Sequence, residues 1–295
     1  MSPDATLPPG LRPGGRFEMW QPSAVRYVVA DVDGTLVGPA ALATPAVVAA
    51  VARAETAGIR FGYATGRMRD GVDDLHRQLG AAGPHILHNG AEVRAEGRTI
   101  ASWSLGPGDI GTLLDLAAAD EDTFVEIYGT SGFHVSSWDE RGRAHWDLMG
   151  AEPLGLVEGT EQFSDSPIPK ATFITFTDEA HRRLLAGLAR LDAEISTATS
   201  PRIPGTRFTN VNRPGATKGS ALVAATDHLG VSPDEVAAIG DAANDASMFA
   251  VAGTAIAMAQ AEPEIREAAH LVTRSVDEDG VAAALDALIA VRALA

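Results

Sequence analysis

The stretch Asp31-Val32-Asp33-Gly34-Thr35 decides the fold of this chain. It follows a mostly apolar run, residues 25–30, which predicts a buried β-strand that ends where the carboxylates begin. In an open α/β sheet, ligands bind in the crevice beyond the carboxyl ends of the strands, so this pair of acids is expected to face a site. Gly34 lets the backbone turn sharply and approach a ligand closely.

Two other interpretations of these five residues are a solvated turn and a calcium-binding loop of the Asp-x-Asp type. The calcium loop does not fit the spacing, because Gly34 comes too early and no glutamate follows it six residues later. The plain turn stays open on these residues alone, and the rest of the chain has to decide.

Composition restricts the class of protein. The 295 residues are 45% hydrophobic, which is typical of one large globular domain or two ordinary ones. Lysine and arginine number 23 against 39 acids, a net charge of −16, so nucleic acid and anionic membranes are not expected as partners. The chain has no cysteine, which excludes disulfides and thiolate catalysis. No apolar run of about 18 residues and no secretory signal occur, and the chain is therefore predicted to be soluble and cytoplasmic.

The periodicity on both sides of the chain's middle predicts alternating strands and helices. Thr44-Pro45 is an N-cap followed by proline at the first helical position, and Lys218 begins a second α/β segment. This order predicts a doubly wound, mostly parallel sheet with right-handed crossovers. The predicted helices are 45–57, 68–79, 218–229, about 244–251, 263–269 and one from about 279, and the predicted strands are 25–30, 59–63, 85–87, 236–239, 254–258 and 271–272.

The middle of the chain reads as an inserted α+β domain. Its hairpin signal around Glu96-Gly97-Arg98 is followed by strands at 124–128, 133–136, 171–177, 194–197 and 207–211 and by helices at 107–119 and 178–191, with a loop-like stretch in between. The insertion is expected to act as a cap that closes over the core and excludes water. The predicted organisation is a disordered tail at 1–23, a core domain at 24–90 and 211–295, and a cap domain at 91–210.

Five polar pieces from distant parts of the chain fall at predicted strand ends or at a helix start. They are Asp31 with Asp33, Thr65, Asn89, Lys218, and Asp241 with Asn244 and Asp245. Taken singly, most have a simpler interpretation: Thr65 as a helix N-cap, Lys218 as a surface lysine, the last group as an Asx-turn. Their order and spacing relative to the first motif favour a common site.

Carboxylates that lie close together need a positive charge to offset their mutual repulsion. Each pair about 4 Å apart repels by about 4 kcal/mol at an effective dielectric near 20, so a divalent cation is expected. Oxygen ligands shared with phosphate favour Mg²⁺. Lys218, Thr65 and the amides after Asp33 are suited to hold a phosphoryl group. The set predicts phosphoryl transfer, in which one ionised aspartate is the nucleophile and a second carboxyl protonates the leaving oxygen and then activates water.

At these residues the chain resembles the haloacid-dehalogenase-like superfamily, and within it the Cof-type sugar-phosphate phosphatases with a large C2-type cap. The four motifs occur in order over about residues 25–290: DVDGT at Asp31, YATGR with Thr65, ATKGS with Lys218 and GDAAND at Asp241. The segment 257–261, Ala-Met-Ala-Gln-Ala, departs from the family's more usual Met-Gly-Asn-Ala, and this departure falls on a loop near the site.

The resemblance implies a role for each matching residue. Asp31 is the nucleophile, Asp33 the acid/base, and Thr65 and Lys218 bind phosphate. The implied metal ligands are Asp31, the backbone carbonyl of Asp33, and Asp241, with Asp245 supporting the metal through water. The predicted substrate-binding residues are Gly34, Thr65, Gly66, Arg67, Asn89, Lys218 and Asn244. Arg67 is equally compatible with a solvated position in the first turn of a helix.

The predicted function is Mg²⁺-dependent hydrolysis of a small phosphate monoester, a sugar phosphate or related metabolite, through an aspartyl-phosphate. One alternative is a phosphotransferase or phosphomutase of the same fold, which returns the phosphoryl group to a hydroxyl. Another is a non-catalytic protein that binds a metal or metabolite. An acid/base two residues after a nucleophile argues against the binding protein.

Overall fold

The computed structural model describes residues 7, 10–38, 42–164, 166–200 and 202–293. The chain divides into two units. The first combines residues 1–66, 73–101 and 217–295, and the second combines residues 67–72 and 102–216. The second unit is thus inserted into the first.

The first unit is built on a sheet of nine strands in the described part of the chain, with strands numbered along the whole sequence. These strands are β1 (Arg12–Pro13), β2 (Tyr27–Asp31), β3 (Arg60–Ala64), β4 (His85–Leu87), β5 (Glu92–Ala95), β6 (Arg98–Ser102), β12 (Val236–Gly240), β13 (Thr254–Ala257) and β14 (Leu271–Val272). Their order is β1-β14-β13-β12-β2-β3-β4-β5-β6. The six strands from β14 to β4 are parallel, whereas β1 and β5 pair antiparallel with their neighbours β14 and β4.

Helices flank this sheet. They are α1 (Pro45–Thr56), α2 (Asp73–Leu79), α6 (Lys218–Leu229), α7 (Ala246–Phe249), α8 (Pro263–Ala268) and α9 (Gly280–Arg292). Strands β2 and β12 are neighbours at the centre, and the chain proceeds outward from them in opposite directions. This is a doubly wound topology, which places a crevice at the carboxyl ends of the two central strands. The predicted fold class is confirmed.

Strand register brings the predicted site residues side by side. Ala30 of β2 pairs with Ile239 of β12, and Asp31 pairs with Ala64 of β3. The residues that follow these three strands therefore come together at one edge of the sheet. All of β2 and β12 is buried, as expected for apolar strands in the middle of a parallel sheet.

The second unit contains a five-stranded antiparallel sheet in its described residues, of order β10-β11-β9-β7-β8. Its elements are α3 (Pro107–Ala118), β7 (Thr123–Gly129), β8 (Gly132–Val135), α4 (Arg143–Met149), β9 (Lys170–Thr175), α5 (Asp178–Leu188), β10 (Glu194–Ser200) and β11 (Ile203–Asn212). Alternating residues of β7 join two apolar clusters. Val125 and Ile127 pack with α3 and α5, whereas Phe124 and Tyr128 pack with Trp146 of α4.

Three segments differ from the sequence prediction. The hairpin of β5 and β6 joins the larger sheet through β4, so the second unit resumes at residue 102 instead of beginning at 91. Helix α4 lies in the stretch that the sequence predicts to be a loop. The helix buries only Trp146, so it has no apolar periodicity that would have signalled it. The helix predicted from residue 68 begins as an α-helix only at Asp73, after a 3₁₀ turn.

The predicted disordered tail also differs over its described part. Residues 1–6 and 8–9 lie outside the described residues. In residues 10–23, β1 adds to the sheet edge at β14, and the Gly14 N–H donates to the His270 carbonyl at 2.9 Å. Trp20 is 3% exposed and its Nε1 donates to Thr254 Oγ1 at 3.1 Å. Backbone pairing and one buried aromatic ring hold a segment that carries no apolar periodicity.

No helix in the described ranges is both long and apolar enough to cross a membrane.

Candidate active site

The nucleophile predicted at Asp31 is the last residue of β2 and is 6% exposed. Burial raises the pKa of its carboxyl well above the usual range, and the carboxylates of Asp245 and Asp241 raise it further. Lys218 opposes these effects. Asp31 is therefore held in a place where its charge depends on a nearby cation.

The loop after Asp31 folds back tightly. Gly34 has a φ of +88°, and its N–H donates to the Val37 carbonyl at 2.9 Å. A Cβ at Gly34 would overlap Oδ2 of Asp241, so only glycine lets the two loops approach this closely. The hydroxyl of Thr35 donates to Asp241 Oδ1 at 2.8 Å. The loops after β2 and β12 are thus joined directly.

Lys218 is brought to Asp31 by the start of α6. Thr217 caps this helix, accepting a bond from the Ser220 N–H at 3.1 Å. Gly90, with a φ of +109°, lies against the Thr217 carbonyl so closely that a Cβ there would overlap it. Lys218 is 1% exposed, and its ammonium forms ion pairs with Asp31 Oδ1 and with Asp245 Oδ1, the latter at 2.6 Å.

Asp245 anchors this arrangement from the helical turn after β12. Its Oδ2 accepts from the backbone N–H groups of Asp241 and Ala242 at 2.9 and 3.0 Å, and its Oδ1 accepts from Lys218. With both oxygens occupied and no exposed surface, Asp245 fixes the loop that carries Asp241 and fixes the lysine beside Asp31.

The charges of this cluster do not cancel. Ligand oxygens of Asp31, Asp241 and Asp245 lie within 4.8 Å of one another, and Lys218 supplies one positive charge against the three. Burial raises the pKa of Asp241 to about 6, an effect that the bond from Thr35 opposes and that Asp245 adds to. Burial lowers the pKa of Lys218, but the two carboxylates outweigh it and the pKa is raised. Two uncompensated carboxylates with oxygen donors fit a hard divalent cation.

The second and third strand ends add polar groups to the same edge. Thr65 is buried, its N–H donates to the Ile86 carbonyl, and its carbonyl accepts from the Asn89 N–H, both at 2.9 Å. Asn244 Nδ2 donates to Asn89 Oδ1 at 3.2 Å. Gly66 follows Thr65 and lies against the Asn89 side chain. The structure therefore brings Thr65, Asn89 and Asn244 together.

A family model described as haloacid dehalogenase-like hydrolase matches residues 28–285. The chain belongs to the haloacid dehalogenase-like hydrolase family.

Curated relatives of this hydrolase align over nearly its whole length. The 5-amino-6-(5-phospho-D-ribitylamino)uracil phosphatase YwtE of Bacillus subtilis is 28% identical over 284 residues, which cover 90% of this chain and 98% of the relative. YcsE of the same organism carries the same name and is 26% identical over 265 residues, covering 88% and 94%. The predicted family and the predicted enzyme class, a phosphatase, are confirmed.

A solved structure supports the fold. A phosphatase of the haloalkanoate enzyme superfamily from Bacteroides thetaiotaomicron superposes with a TM-score of 0.76 at 25% identity, covering 90% of this chain and 96% of that one. The fold of the hydrolase is therefore that of known phosphatases over both of its units.

Two predicted site residues of the hydrolase stand apart from the carboxylate cluster. Asp33 is exposed, and its carboxylate is not one of the three clustered carboxylates; the role of its backbone carbonyl as a metal ligand stays a prediction. Arg67 belongs to the second unit, where its guanidinium donates to the Gly71 carbonyl at 3.1 Å. Its predicted contact with substrate stays a prediction.

Sequence reasoning missed two residues of the site. Thr35 was part of the first motif, and its hydroxyl next to a glycine was the available signal for its bond to Asp241. Gln260 stands in the segment that departs from the family pattern, and its Nε2 donates to the Gly34 carbonyl at 2.6 Å. The loop contact near the site is made by this glutamine.

Proposed function

We propose that the hydrolase cleaves a small phosphate monoester, a sugar phosphate or related metabolite, through an aspartyl-phosphate and with Mg²⁺ as cofactor. The observation that carries the proposal is the buried ammonium of Lys218 between Asp31 and Asp245, beside an uncompensated Asp241. An ionised nucleophile in a low-dielectric environment and an excess of carboxylate are what phosphoryl transfer to an aspartate requires.

Asp31 is placed to act as the nucleophile. One of its carboxylate oxygens forms a bond to phosphorus while the bond from phosphorus to the ester oxygen breaks. Lys218 favours the ionised form of Asp31 against the burial that raises its pKa, and it carries positive charge toward the phosphoryl oxygens. The backbone N–H of Thr65 donates to the Ile86 carbonyl, and the phosphate contact is assigned to the threonine hydroxyl.

Asp33 is assigned the proton transfers. In the first step its carboxyl donates a proton to the departing ester oxygen. In the second step its carboxylate takes a proton from a water molecule whose oxygen attacks phosphorus, and the bond to Asp31 breaks to release inorganic phosphate. The exposure of Asp33 supports this assignment, because the residue that transfers these protons has to be accessible to the ester oxygen and to water.

The cation that the cluster fits would be held by Asp31, the backbone carbonyl of Asp33, and Asp241, with Asp245 acting from behind. When bound, Mg²⁺ offsets the charge of these carboxylates and of the phosphoryl oxygens. Relatives named for a phosphoribitylamino-uracil support a phosphorylated polyol or sugar as the substrate class. The predicted role of the inserted unit as a cap is part of this proposal, as is the cytoplasmic location.

The proposal is tested by phosphate release from 4-nitrophenyl phosphate and from a panel of sugar, polyol and nucleoside phosphates, with Mg²⁺ or with EDTA. We expect release that requires the cation and that is lost in Asp31→Asn by at least about a thousandfold. Asp33→Asn should slow turnover and keep Mg²⁺ affinity in titration calorimetry, because its backbone carbonyl remains. Release that is unaffected by Asp31→Asn would overturn the aspartyl-phosphate route.

The same assay separates hydrolysis from transfer. A phosphotransferase or phosphomutase would convert the phosphate ester to an isomer or to a second ester with little free phosphate. Binding of phosphate esters without turnover, unchanged by Asp31→Asn, would favour a metabolite-binding protein.

A further inference from the structure

Gln260 lies in the turn that follows β13, and its side-chain amide makes two hydrogen bonds to backbone groups. Nε2 donates to the Gly34 carbonyl at 2.6 Å, and Oε1 accepts from the Val276 N–H at 3.2 Å. A carbonyl only accepts and a backbone N–H only donates, so these partners fix the orientation of the amide.

The two bonds tie three segments together. Gly34 lies in the loop after β2, Gln260 in the turn after β13, and Val276 in the segment after β14. The turn itself is fixed from the other side, because the Ala259 N–H donates to the Arg274 carbonyl at 3.2 Å and the Ala261 N–H donates to the Met258 carbonyl at 3.1 Å. Gln260 therefore extends from a fixed base to the loop that carries Asp33.

The direction of the Gly34 carbonyl affects the backbone conformation of this loop. It belongs to the planar peptide that links Gly34 to Thr35, so fixing its direction fixes the orientation of that whole peptide unit. The unit ends at the Cα of Gly34, which is the next residue after Asp33, and at the Cα of Thr35, whose hydroxyl is bonded to Asp241. Gly34 has a positive φ, its N–H is held by the Val37 carbonyl, and its own carbonyl is held by Gln260.

We propose that Gln260 is a positioning residue for Asp33. By holding the Gly34 carbonyl, it keeps the carboxyl of Asp33 in line with the ester oxygen that leaves in the first step. This inference rests on the proposed function, since it requires Asp33 to donate that proton.

The inference has a consequence that a purely structural role does not share. A leaving group that is stable as an anion departs with little help from an acid, whereas a more basic leaving group needs the proton. Misplacing Asp33 should therefore slow the hydrolysis of esters of basic alcohols and phenols. The rate of hydrolysis of esters of acidic phenols should stay nearly unchanged. The value of kcat/KM reports this first step.

The experiment measures kcat/KM for phenyl phosphate and for 4-nitrophenyl phosphate with Mg²⁺ present. In Gln260→Met, which can make neither bond, we expect a loss of about tenfold for phenyl phosphate and of less than about twofold for 4-nitrophenyl phosphate. Gln260→Glu keeps an acceptor for the Val276 N–H and loses the donor to Gly34. It should show the same change in the ratio of the two substrates.

Gln78 provides a matched control in the same unit. Its Nε2 donates to the Ala43 carbonyl at 2.8 Å and its Oε1 accepts from the Ala43 N–H at 3.0 Å, so it also loses two backbone bonds when replaced. Gln78→Met should lower the thermal midpoint about as much as Gln260→Met and leave the substrate ratio unchanged.

Three results would overturn the inference. If Gln260→Met or Gln260→Glu keeps the wild-type ratio of kcat/KM for the two esters, Gln260 only stabilises its own turn and does not position Asp33. An equal change in Gln78→Met would show that the ratio follows general stability. If the wild-type protein hydrolyses neither these two esters nor any member of the phosphate panel, the proposed function fails and takes this inference with it, whereas wild-type hydrolysis of the two esters with an unchanged ratio contradicts the inference alone.

Discussion

The two units of the hydrolase each contain a buried lysine, and the two lysines are held in opposite ways. Lys218 of the first unit is 1% exposed and lies between the carboxylates of Asp31 and Asp245. Lys170 of the second unit is 6% exposed, and its ammonium lies 4.2 Å from the centre of the Tyr128 ring. One buried cation is surrounded by opposite charge, and the other lies on the face of an aromatic ring.

The pKa values of the two lysines follow from these surroundings. Burial lowers the pKa of both, but two carboxylates outweigh it at Lys218, whose pKa is raised. At Lys170 the burial effect prevails over the attraction of Glu126, and the pKa falls to about 8. Glu126 is also occupied by other groups, because it accepts from Tyr128 at 2.6 Å and from Trp146 at 2.9 Å.

The two buried polar clusters differ in their balance of charge. In the second unit, the carboxylate of Glu126 is fully buried and accepts hydrogen bonds from Tyr128 and Trp146, as expected of a structural polar cluster. The first unit keeps more carboxylate than its lysine can compensate, which costs stability unless a cation binds there. Uncompensated charge distinguishes the candidate active site from the polar cluster of the inserted unit.

The largest effect is expected from Lys218→Met. It leaves Asp31 and Asp245 buried without their cation, which should lower the free energy of unfolding by about 3–5 kcal/mol at pH 7 in EDTA, and turnover should fall below detection. Urea denaturation and phosphate release measure the two effects. Lys170→Met is the matched control from the second unit.

For that control we expect a smaller change in the free energy of unfolding, since charging Lys170 already costs energy in the folded protein. An equal loss of stability in both variants would contradict the contrast between the two lysines.

The contribution of Lys170 to the free energy of unfolding is expected to depend on pH. The pKa of Lys170 is lower in the folded protein than in the unfolded chain, so the unfolded chain binds more protons between about pH 8 and 10.5 and the contribution of Lys170 to stability rises over that range. Relative to Lys170→Met, the wild-type protein should gain up to about 3 kcal/mol between pH 8 and 10.5.

Urea denaturation followed by tryptophan fluorescence suits this measurement, because Trp103, Trp138 and Trp146 lie in the second unit and only Trp20 lies in the first. Groups that titrate at high pH and lie away from Lys170 act equally in both proteins and cancel in the difference. A difference that does not vary with pH would show that Lys170 is not desolvated.

Much of the first unit could be predicted from the sequence, because its signals are local. The apolar run before Asp31 and the capping residues Thr44 and Thr217 each determine an element within a few residues, and the helix beginning at Lys218 and the strand His85–Leu87 have their predicted bounds. Parallel strands then bring their carboxyl ends to one edge, so the meeting of Asp31 and Asp241 followed from strand order, while Lys218 reaches them from the start of α6.

The elements and contacts that the sequence did not predict depend on partners that are distant in the chain. The strand at Arg12–Pro13 exists because β14 offers an unpaired edge, and no periodicity within residues 1–23 signals it. The hairpin of β5 and β6 shows the same limit, because a hairpin pattern does not state which sheet it joins. Gln260 reaches a carbonyl 226 positions away, a contact that a single sequence does not encode locally.

The smallest of the three effects concerns Asp241, whose pKa burial raises to about 6. Because the folded protein binds this proton more tightly than the unfolded chain, the contribution of Asp241 to stability is lost as pH rises from about 4 to 6. Relative to Asp241→Asn, the wild-type protein in EDTA should lose about 2 kcal/mol over that range, a value reduced because this carboxyl is only partly buried. Thermal unfolding followed by circular dichroism measures the loss.

Saturating Mg²⁺ should reverse this dependence, because a cation that binds the ionised carboxylates stabilises the folded protein above pH 6, by about 3 kcal/mol at a hundred times its dissociation constant. Asp241→Asn should respond weakly to Mg²⁺, and the dependence on Lys170 between pH 8 and 10.5 should persist with Mg²⁺ present. Identical pH curves with Mg²⁺ and with EDTA would mean that the excess carboxylate of the first unit binds no cation. The two units would then differ in charge without differing in function.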